Sequence, residues 1–296
     1  MKAAPFEYVR PQSVDEACIC LAADADAMII AGGQTLVPMM AMRLARPSRL
    51  VDITRIPELH GIRDDGTAIA VGAGTRQVTA ANDCSIAGSV PLLAAALPWV
   101  GHAATRNRGT IGGSVANADP AAEIPLVLVT LKGSVVLRRP AGSRIVAAQE
   151  FFIGPMMTVI TPATCIIEVR FPVWSASLIG VGFQEISARR SDFALVSAAA
   201  QVALDDSGRC VACALGIGGA SAVPQRLDAA ADALVGSRLS DDEIGQAVRA
   251  AVDTIEIMTS SHASDGYRRR AAAVLGTRAL AEARDHAIQC AAGPVQ

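Results

Sequence analysis

Two loops built on a glycine pair constrain this chain of 296 residues more than any other feature. The apolar run 27–30 predicts a buried strand that ends at Gly32-Gly33-Gln34-Thr35, and Thr110-Ile111-Gly112-Gly113-Ser114 forms a second loop of the same type. Glycine lets a backbone approach a ligand closely and point N–H groups at an anion, while Ser, Thr and Gln add side-chain donors. A single loop of this kind is usually a turn. Two of them, about eighty residues apart, favour a phosphate-bearing cofactor.

The two common nucleotide-binding motifs are absent from the sequence. Val71-Gly72-Ala73-Gly74-Thr75 begins like the dinucleotide fingerprint, but Gln77 stands at the third glycine position and no suitable helix pattern follows. The only lysines, Lys2 and Lys132, follow no GxxxxG loop, which excludes a P-loop. The glycine loops therefore belong to neither class.

The sequence also contains no motif typical of a hydrolase or of a metal-dependent enzyme. Ser89 and Ser114 lie in no Gly-x-Ser-x-Gly sequence. The only CxxC, Cys210 to Cys213, falls in an apolar run that predicts a strand, so we expect both thiols in a hydrophobic core. The four histidines are far apart and have no metal-ligand spacing: His60, His102, His262 and His286. We expect neither a metal site nor a catalytic side chain in this protein.

The overall charge is nearly balanced, with 26 basic and 28 acidic residues. No basic block supports binding to nucleic acid or to an anionic membrane, and no apolar run reaches the ~18 residues of a transmembrane segment. The first residues lack the apolar core of a secretory signal. The seven cysteines are an odd, scattered set rather than a disulfide framework. We expect a cytoplasmic protein with small-molecule or protein partners.

The pattern of predicted elements changes in the middle of the chain. Up to Pro172, short helical and extended segments alternate, including a helix over 13–22 with Ser13 as N-cap, a helix over 38–44 and a hairpin at Asp64-Asp65-Gly66. Longer strands then follow, over 179–187, 194–204 and 210–217. Two helices close the chain, and the first begins with a capping box over 240–243. The apolar faces of these helices serve packing or docking.

Asp119 follows the second glycine loop by five residues, and two roles are open to it. Its carboxylate can accept hydrogen bonds from ribose hydroxyls or order the loop. Alternatively, it caps a helix that starts at Pro120 and carries Glu123 at its fourth position. The two roles are compatible.

Taken together, the loops resemble a known family. The segments Ile30-Ala31-Gly32-Gly33-Gln34-Thr35-Leu36-Val37-Pro38-Met39-Met40 and Arg106-Asn107-Arg108-Gly109-Thr110-Ile111-Gly112-Gly113-Ser114 resemble the FAD-binding medium subunits of the xanthine oxidase, or molybdenum hydroxylase, family. The match is best with medium subunits of bacterial carbon monoxide dehydrogenase and of aromatic or N-heterocycle hydroxylases. Gly182-Phe183-Gln184-Glu185, Asp192-Phe193-Ala194 and Asp265-Gly266-Tyr267-Arg268-Arg269-Arg270 extend the resemblance over nearly the whole chain.

The resemblance implies an α+β fold. It consists of a two-lobed FAD-binding domain of the vanillyl-alcohol-oxidase (PCMH) type at 1–175, with the lobe boundary near 55–60, and a small α/β C-terminal domain at 176–296. The residues that it implies in FAD binding are Ile29, Ile30, Ala31, Gly32, Gly33, Gln34, Thr35, Leu36, Thr110, Ile111, Gly112, Gly113, Ser114, Asp119, Ile166 and Phe193. Two departures stand out: Thr35 replaces a commoner Ser, and Glu185 stands where some members carry a lysine near the flavin.

The same resemblance implies a division of labour. A molybdenum hydroxylase oxidises its substrate at a molybdopterin, passes electrons through two [2Fe–2S] clusters and discharges them through FAD, often on separate chains. We therefore expect a large molybdopterin subunit and a small iron–sulfur subunit as partners, in a dimer of heterotrimers. Two other hypotheses remain open here: a self-sufficient FAD oxidoreductase of the same fold, and a binding module whose glycine loops are merely turns.

Overall fold

A computed structural model describes residues 2–176, 178–189 and 191–292 of the chain. Its helices are α1 Val14–Ala22, α2 Leu36–Ala41, α3 Gln77–Ala81, α4 Cys84–Ser89, α5 Pro91–Ala96, α6 Ala103–Arg108, α7 Ile111–Asn117, α8 Glu123–Thr130, α9 Ala148–Phe151, α10 Asp228–Leu234, α11 Asp241–Val252 and α12 Asp265–Ala292. Its strands are β1 Glu7–Val9, β2 Met28–Ile30, β3 Arg49–Asp52, β4 Ile62–Asp64, β5 Ala68–Gly72, β6 Ser134–Arg139, β7 Gly142–Ala147, β8 Phe152–Gly154, β9 Met157–Thr158, β10 Cys165–Pro172, β11 Leu178–Ser187, β12 Ala194–Leu204, β13 Cys210–Gly218 and β14 Gln225–Arg226.

Three main sheets follow one another along the chain. The first is parallel and three-stranded, in the order β1-β3-β2. The second is antiparallel and five-stranded, in the order β4-β5-β10-β6-β7. The third is antiparallel and four-stranded, in the order β11-β12-β13-β14. The mixture of helices and strands is that of the expected α+β fold.

The first sheet is covered by α1, which begins where the sequence predicted. The Ser13 hydroxyl accepts a hydrogen bond from the Glu16 N–H, as an N-cap does. The Glu16 carboxylate accepts from the Gln12 N–H rather than from that of Ser13, so the reciprocal capping box is not formed. Val14, Ala17, Cys18 and Leu21 of α1 are buried against Val51 of β3. Periodicity and capping alone thus placed this helix.

The helix predicted over 38–44 is displaced: α2 begins at Leu36 and ends at Ala41. Pro38 therefore lies in the first turn, where a backbone N–H has no partner within the helix and its absence costs little. The early start brings the helix directly against the first glycine loop. Proline position, rather than hydrophobic spacing, explains the difference.

Helix α8 lies between the second and third sheets and is buried on every side. All its residues from Ile124 to Thr130 are buried. A Cβ atom at Gly216 of β13 would clash with the Thr130 hydroxyl, so helix and strand are in direct contact. Leu126 also faces β13, at Gly216 and Gly218, and Val127 belongs to the same core as Val71 of the second sheet. An apolar helix of this kind joins the N-terminal part of the chain to the C-terminal sheet.

The C-terminal elements match the sequence predictions closely. The predicted strands correspond to β11, β12 and β13, and the capping box predicted for α11 is complete, with Ser240 and Glu243 bonded reciprocally. Cys210 and Cys213 are buried within β13, as expected for core thiols. The long helix α12 packs on β11, where Gly180 and Gly182 leave room for its backbone. Among the described helices, none is both long and apolar enough to cross a membrane.

Candidate functional site

The first glycine loop contacts the residues that directly precede the second loop, although the two are far apart in sequence. A Cβ atom at Gly32 would lie 2.5 Å from the carbonyl oxygen of Arg108 and 2.8 Å from the Cα atom of Gly109. That distance is far below an ordinary contact, so only glycine permits this approach. The guanidinium of Arg76 donates to the same Arg108 carbonyl and braces the junction. The first loop is therefore held directly against the residues that lead into the second loop.

The first loop carries the free backbone donors. Gly33 has a φ of +70°, a conformation that favours glycine, and its carbonyl accepts from the Val37 N–H. Within the described residues, the N–H groups of Gly32, Gly33, Gln34 and Thr35 donate to no acceptor. Successive unpaired N–H groups in a loop ahead of a helix form a cradle for an anion. The first loop has the chemistry that a pyrophosphate requires.

The second loop is built differently from the sequence expectation, because it is the first turn of α7. Thr110 is the N-cap, and its hydroxyl accepts from the Gly113 N–H at 3.0 Å. The N–H groups of Ile111 and Gly112 donate to the carbonyls of Thr75 and Ala73, at 3.0 and 2.9 Å. These donors are already engaged within the protein. The loop offers a close-approach surface and hydroxyl groups rather than free N–H groups.

The two glycines of the second loop have different surroundings. A Cβ atom at Gly112 would lie 2.7 Å from both Cα and O of Ala73, so Gly112 serves packing against the chain after β5. A Cβ atom at Gly113 would meet only the Thr110 hydroxyl, at 2.6 Å, and otherwise open space. The Ser114 hydroxyl is partly buried and makes no hydrogen bond to the described residues. Gly113 and Ser114 therefore face the side on which a ligand can approach.

The incomplete dinucleotide fingerprint at 71–75 has a structural role. Its Ala73 and Thr75 carbonyls hold the start of α7, and its Ala73 N–H donates to the Ile167 carbonyl of β10 at 3.0 Å. A short helix, α3, does follow it, which the sequence analysis missed. The strands on either side of β5 are antiparallel to it, however, so the segment does not form a Rossmann unit.

Asp119 does not cap a helix, and that part of the sequence prediction was wrong. Helix α8 begins at Glu123 with Ala122 as its N-cap, and the Asp119 carboxylate instead accepts from the Ala121 N–H at 2.9 Å. The residue thus stabilises the turn between α7 and α8. Its second carboxylate oxygen makes no bond to the described residues, so the ligand role stays a prediction.

Two partly buried carboxyl groups interact in this region, those of Glu123, directly after the turn, and Glu185 of β11, and the sequence analysis did not connect them. Burial raises the pKa of Glu123 to about 7, and the negative charge of Asp119 adds to the effect. Burial likewise raises the pKa of Glu185 to about 8, with a contribution from the charge of Glu123. The Glu185 Oε2 atom is buried without a hydrogen-bond partner in the described residues. The charge of Glu123 acts on Glu185 only because the folded chain brings two segments that are distant in sequence near each other.

The two outlying predicted residues lie in contrasting places. Ile166 of β10 is 5 % exposed and packs in the central core, beside a bulge in the β10–β6 pairing. Phe193 is 75 % exposed in the segment before β12. Next to it, the Leu195 carbonyl accepts from the buried Arg268 guanidinium, which also donates to the Gly219 carbonyl. The structure therefore gives Ile166 a core position and leaves Phe193 free to contact a ligand or another chain.

An apolar hollow adjoins the first loop. Ile29, Ile30, Ala31 and Leu36, which flank the glycine pair, are all partly buried. The hollow has a volume of about 380 Å³ and is lined by Ala3, Phe6, Tyr8, Ile30, Val37, Met40, Ala41 and Leu50. It offers room for a non-polar part of a ligand whose charged part lies on the glycine loop. In the parts of the chain that the structure describes, no cluster of three or more His, Cys, Asp or Glu is arranged to hold a metal ion.

Comparisons with known proteins agree with this geometry. Residues 4–174 match the family described as the FAD binding domain in molybdopterin dehydrogenase, and residues 182–283 match the CO dehydrogenase flavoprotein C-terminal domain. The chain is 38 % identical over 284 residues to the 6-hydroxypseudooxynicotine dehydrogenase complex subunit alpha of Paenarthrobacter nicotinovorans, covering 96 % of each chain. It is 33 % identical to the carbon monoxide dehydrogenase medium chain of Afipia carboxidovorans, over 95 % of this chain and 98 % of that one.

The fold is likewise that of solved structures. Quinoline 2-oxidoreductase from Pseudomonas putida 86 superposes with a TM-score of 0.92 at 35 % identity, over 97 % of this chain and 100 % of the matched chain. Sequence and fold similarity extend over both halves, from the glycine loops to α12. The chain thus belongs to the FAD-binding medium subunits of the molybdenum hydroxylase family, as a flavoprotein subunit of an oxidoreductase.

Proposed function

We propose that the joined glycine loops hold the pyrophosphate of one FAD, and that the protein relays electrons from the iron–sulfur clusters of a partner subunit to an external acceptor. The observation that carries the proposal is the packing of Gly32 on residues 108 and 109, which brings the unpaired N–H groups of residues 32–35 next to the segment that leads into the second loop, where Gly113 has an open side. Oriented N–H dipoles stabilise a phosphate, and glycines let it come close.

The remaining predicted residues have roles that fit this arrangement. The Ser114 hydroxyl and the second carboxylate oxygen of Asp119, in and shortly after the second loop, make no bond to the described residues and are suited to the phosphate and hydroxyl groups of the cofactor. Ile29, Ile30, Ala31, Gln34, Thr35 and Leu36 shape the first loop, and Thr110, Ile111 and Gly112 fix the second. Phe193 has an exposed ring for contact with the cofactor or a partner, and Ile166 supports the site from the core.

When bound, FAD supplies a redox centre that exchanges electrons singly or in pairs, while the protein provides binding, orientation and electrostatic tuning. The chain's own contribution is thus the cradle of N–H groups in the first loop and the polar groups in and after the second loop. Oxidation of the organic substrate takes place on partner chains, which carry the molybdopterin and the [2Fe–2S] clusters. The glycine loops and the two-part family match support this assignment.

We also propose finer points of organisation. The domains divide at residues 175 and 176, a boundary supported by the gap between β10 and β11, and the lobes of the first domain meet near 55–60, between β3 and β4. A cytoplasmic location is supported by seven cysteines that are all free, as expected in a reducing compartment. The assembly proposed is a dimer of heterotrimers with a large and a small partner subunit.

An anaerobic reduction experiment tests the relay role. The full chain is purified with FAD, and the oxidised-flavin absorbance is followed on addition of dithionite, and separately of N-heterocycles such as quinoline. We expect bleaching by dithionite, and bleaching by the organic substrate of the complex only after the partner subunits are added. Bleaching by a heterocycle with the subunit alone would contradict the relay role and favour a self-sufficient oxidoreductase. A chain that takes up no flavin at all would overturn the site assignment.

A further inference from the structure

The C-terminal sheet turns one face towards α12 and the other towards the N-terminal domain. On β11, Gly180 and Gly182 face α12, and the Gln184 side chain donates to Glu282 of that helix at 2.7 Å. Side chains alternate along a strand, so Val181, Phe183 and Glu185 point the opposite way. Phe183 accordingly contacts Trp99, with ring centroids 5.8 Å apart. Glu185 thus lies at the junction of the two domains.

This junction leaves polar groups without protein partners. The Glu185 Oε2 atom is buried and unbonded within the described residues, as is the hydroxyl of Ser197, its cross-strand neighbour on β12. Ser197 is fully buried. Buried polar atoms nearly always have a partner, so an unbonded carboxyl oxygen beside an unbonded hydroxyl marks a place where protons or a ligand act. Ordinary structural ion pairing does not account for Glu185.

The charged groups around Glu185 do not neutralise it. The charge that acts on Glu185 is that of Glu123, at the start of α8, and Glu123 in turn lies near the acidic Asp119 of the preceding turn. Arg106 of α6 acts on Glu123, and its guanidinium is engaged with the carbonyls of Val100 and Gly101. The α5 and β12 segments carry no titratable side chain. On the opposite face, Glu282 and His286 of α12 contact β11 at Gln184 and Val181.

We propose that Glu185 is a proton-holding residue at the domain junction, coupled to Glu123, and that it takes up a proton when the bound cofactor is reduced. The inference rests on the proposed FAD function. Two electrons come from an external reductant and add negative charge to the site. The accompanying proton comes from solvent and forms an O–H bond on the Glu185 carboxylate; no bond of the chain breaks.

The electrostatic reason is direct. With a pKa raised to about 8, Glu185 is mainly neutral at pH 7 and becomes a carboxylate at higher pH. A carboxylate in a poorly solvated junction opposes the arrival of further negative charge, whereas the protonated acid does not. Reduction therefore raises the affinity of Glu185 for its proton, and the reduction potential depends on pH in the range where the group is ionised before reduction.

The test is a redox titration of the FAD-loaded full chain between pH 6 and 10, comparing wild type with E185Q. Glutamine keeps the shape but cannot ionise. Above pH about 8, we expect the wild-type midpoint potential to fall more steeply than that of E185Q, by up to about 30 mV per pH unit, the two-electron equivalent of a tenfold change. E282Q, on the opposite face of β11, is the matched control and should retain the wild-type slope.

The variants separate the possible outcomes. Coincident slopes for wild type and E185Q in FAD-loaded protein would overturn the role of Glu185 alone, whereas failure of the wild type to bind FAD would overturn the proposed function and this inference with it. If E185Q does not fold, E123Q decides, because removal of the Glu123 charge should move the steep segment to lower pH. An unchanged onset in E123Q would contradict the coupling.

Discussion

The contrast between Gly112 and Gly113 provides the sharpest test of the site. We predict that G113A leaves the fold intact but weakens FAD binding, whereas G112A damages the fold itself. Both residues lie in the first turns of α7, so the intrinsic helix propensity of the two substitutions is the same. Their surroundings differ, because only Gly112 is packed against another segment. Each of the two variants therefore serves as the control for the other.

The expected magnitudes follow from the contacts. In G112A, the new methyl group would lie 2.7 Å from the Ala73 backbone, and overpacking of this kind costs about 1–3 kcal/mol or more. In G113A, replacement of a helical glycine stabilises by about 1 kcal/mol, and displacement of the Thr110 cap costs about the same, so the net change is close to zero. The new methyl group on the open side of Gly113 would also hold the phosphate away from the loop. If this breaks one charge-assisted hydrogen bond to the phosphate, binding weakens by about 1.5–3 kcal/mol, or about 10- to 150-fold in Kd.

Thermal unfolding of the apoproteins and FAD titration by flavin fluorescence measure the two effects separately. G113A is also compared with T110A and with the T110A/G113A double variant, since T110A removes the hydroxyl that the new methyl group would meet. We expect G113A to weaken binding by a similar factor in both backgrounds. Wild-type FAD affinity in a stable G113A protein would refute the assignment of the open side of Gly113 to the cofactor.

Two further predictions concern single side chains. S114A removes a hydroxyl that has no partner among the described residues. We therefore expect the free energy of FAD binding to weaken by about 1–3 kcal/mol, with no change in apoprotein stability. Unchanged affinity in the fluorescence titration would show that Ser114 is only a turn residue. R268Q leaves the Leu195 and Gly219 carbonyls without their shared donor, so we expect the free energy of unfolding to fall by about 2–4 kcal/mol. The control R270Q changes an exposed side chain and should lower it by less than about 0.5 kcal/mol. Equal urea midpoints for the two variants would contradict the structural role of Arg268.

Features that depend on local sequence were predictable. Ser13 capped α1, the Asp64-Asp65-Gly66 turn joined β4 and β5, and the capping box at 240–243 began α11, because each depends on residues within a few positions of one another. The glycine loops were also recognisable, since a glycine pair with polar neighbours is itself a local signal. Their membership of one family followed from the motifs, and the comparisons confirmed it.

Tertiary structure decided how those parts are used. Both loops contain the same Gly-Gly pair, so the sequence does not distinguish their glycines. Only the folded chain shows that Gly32 contacts Arg108, that Gly112 packs on Ala73 and that Gly113 faces open space. In the structure, Asp119 lies in a turn rather than at a helix cap, because α8 starts three residues later than the capping pattern in the sequence indicates. The pairing of Glu123 with Glu185 has no sequence signal at all. Burial raises both pKa values, and the pKa of Glu185 is raised further by the charge of Glu123, about sixty residues away in the sequence.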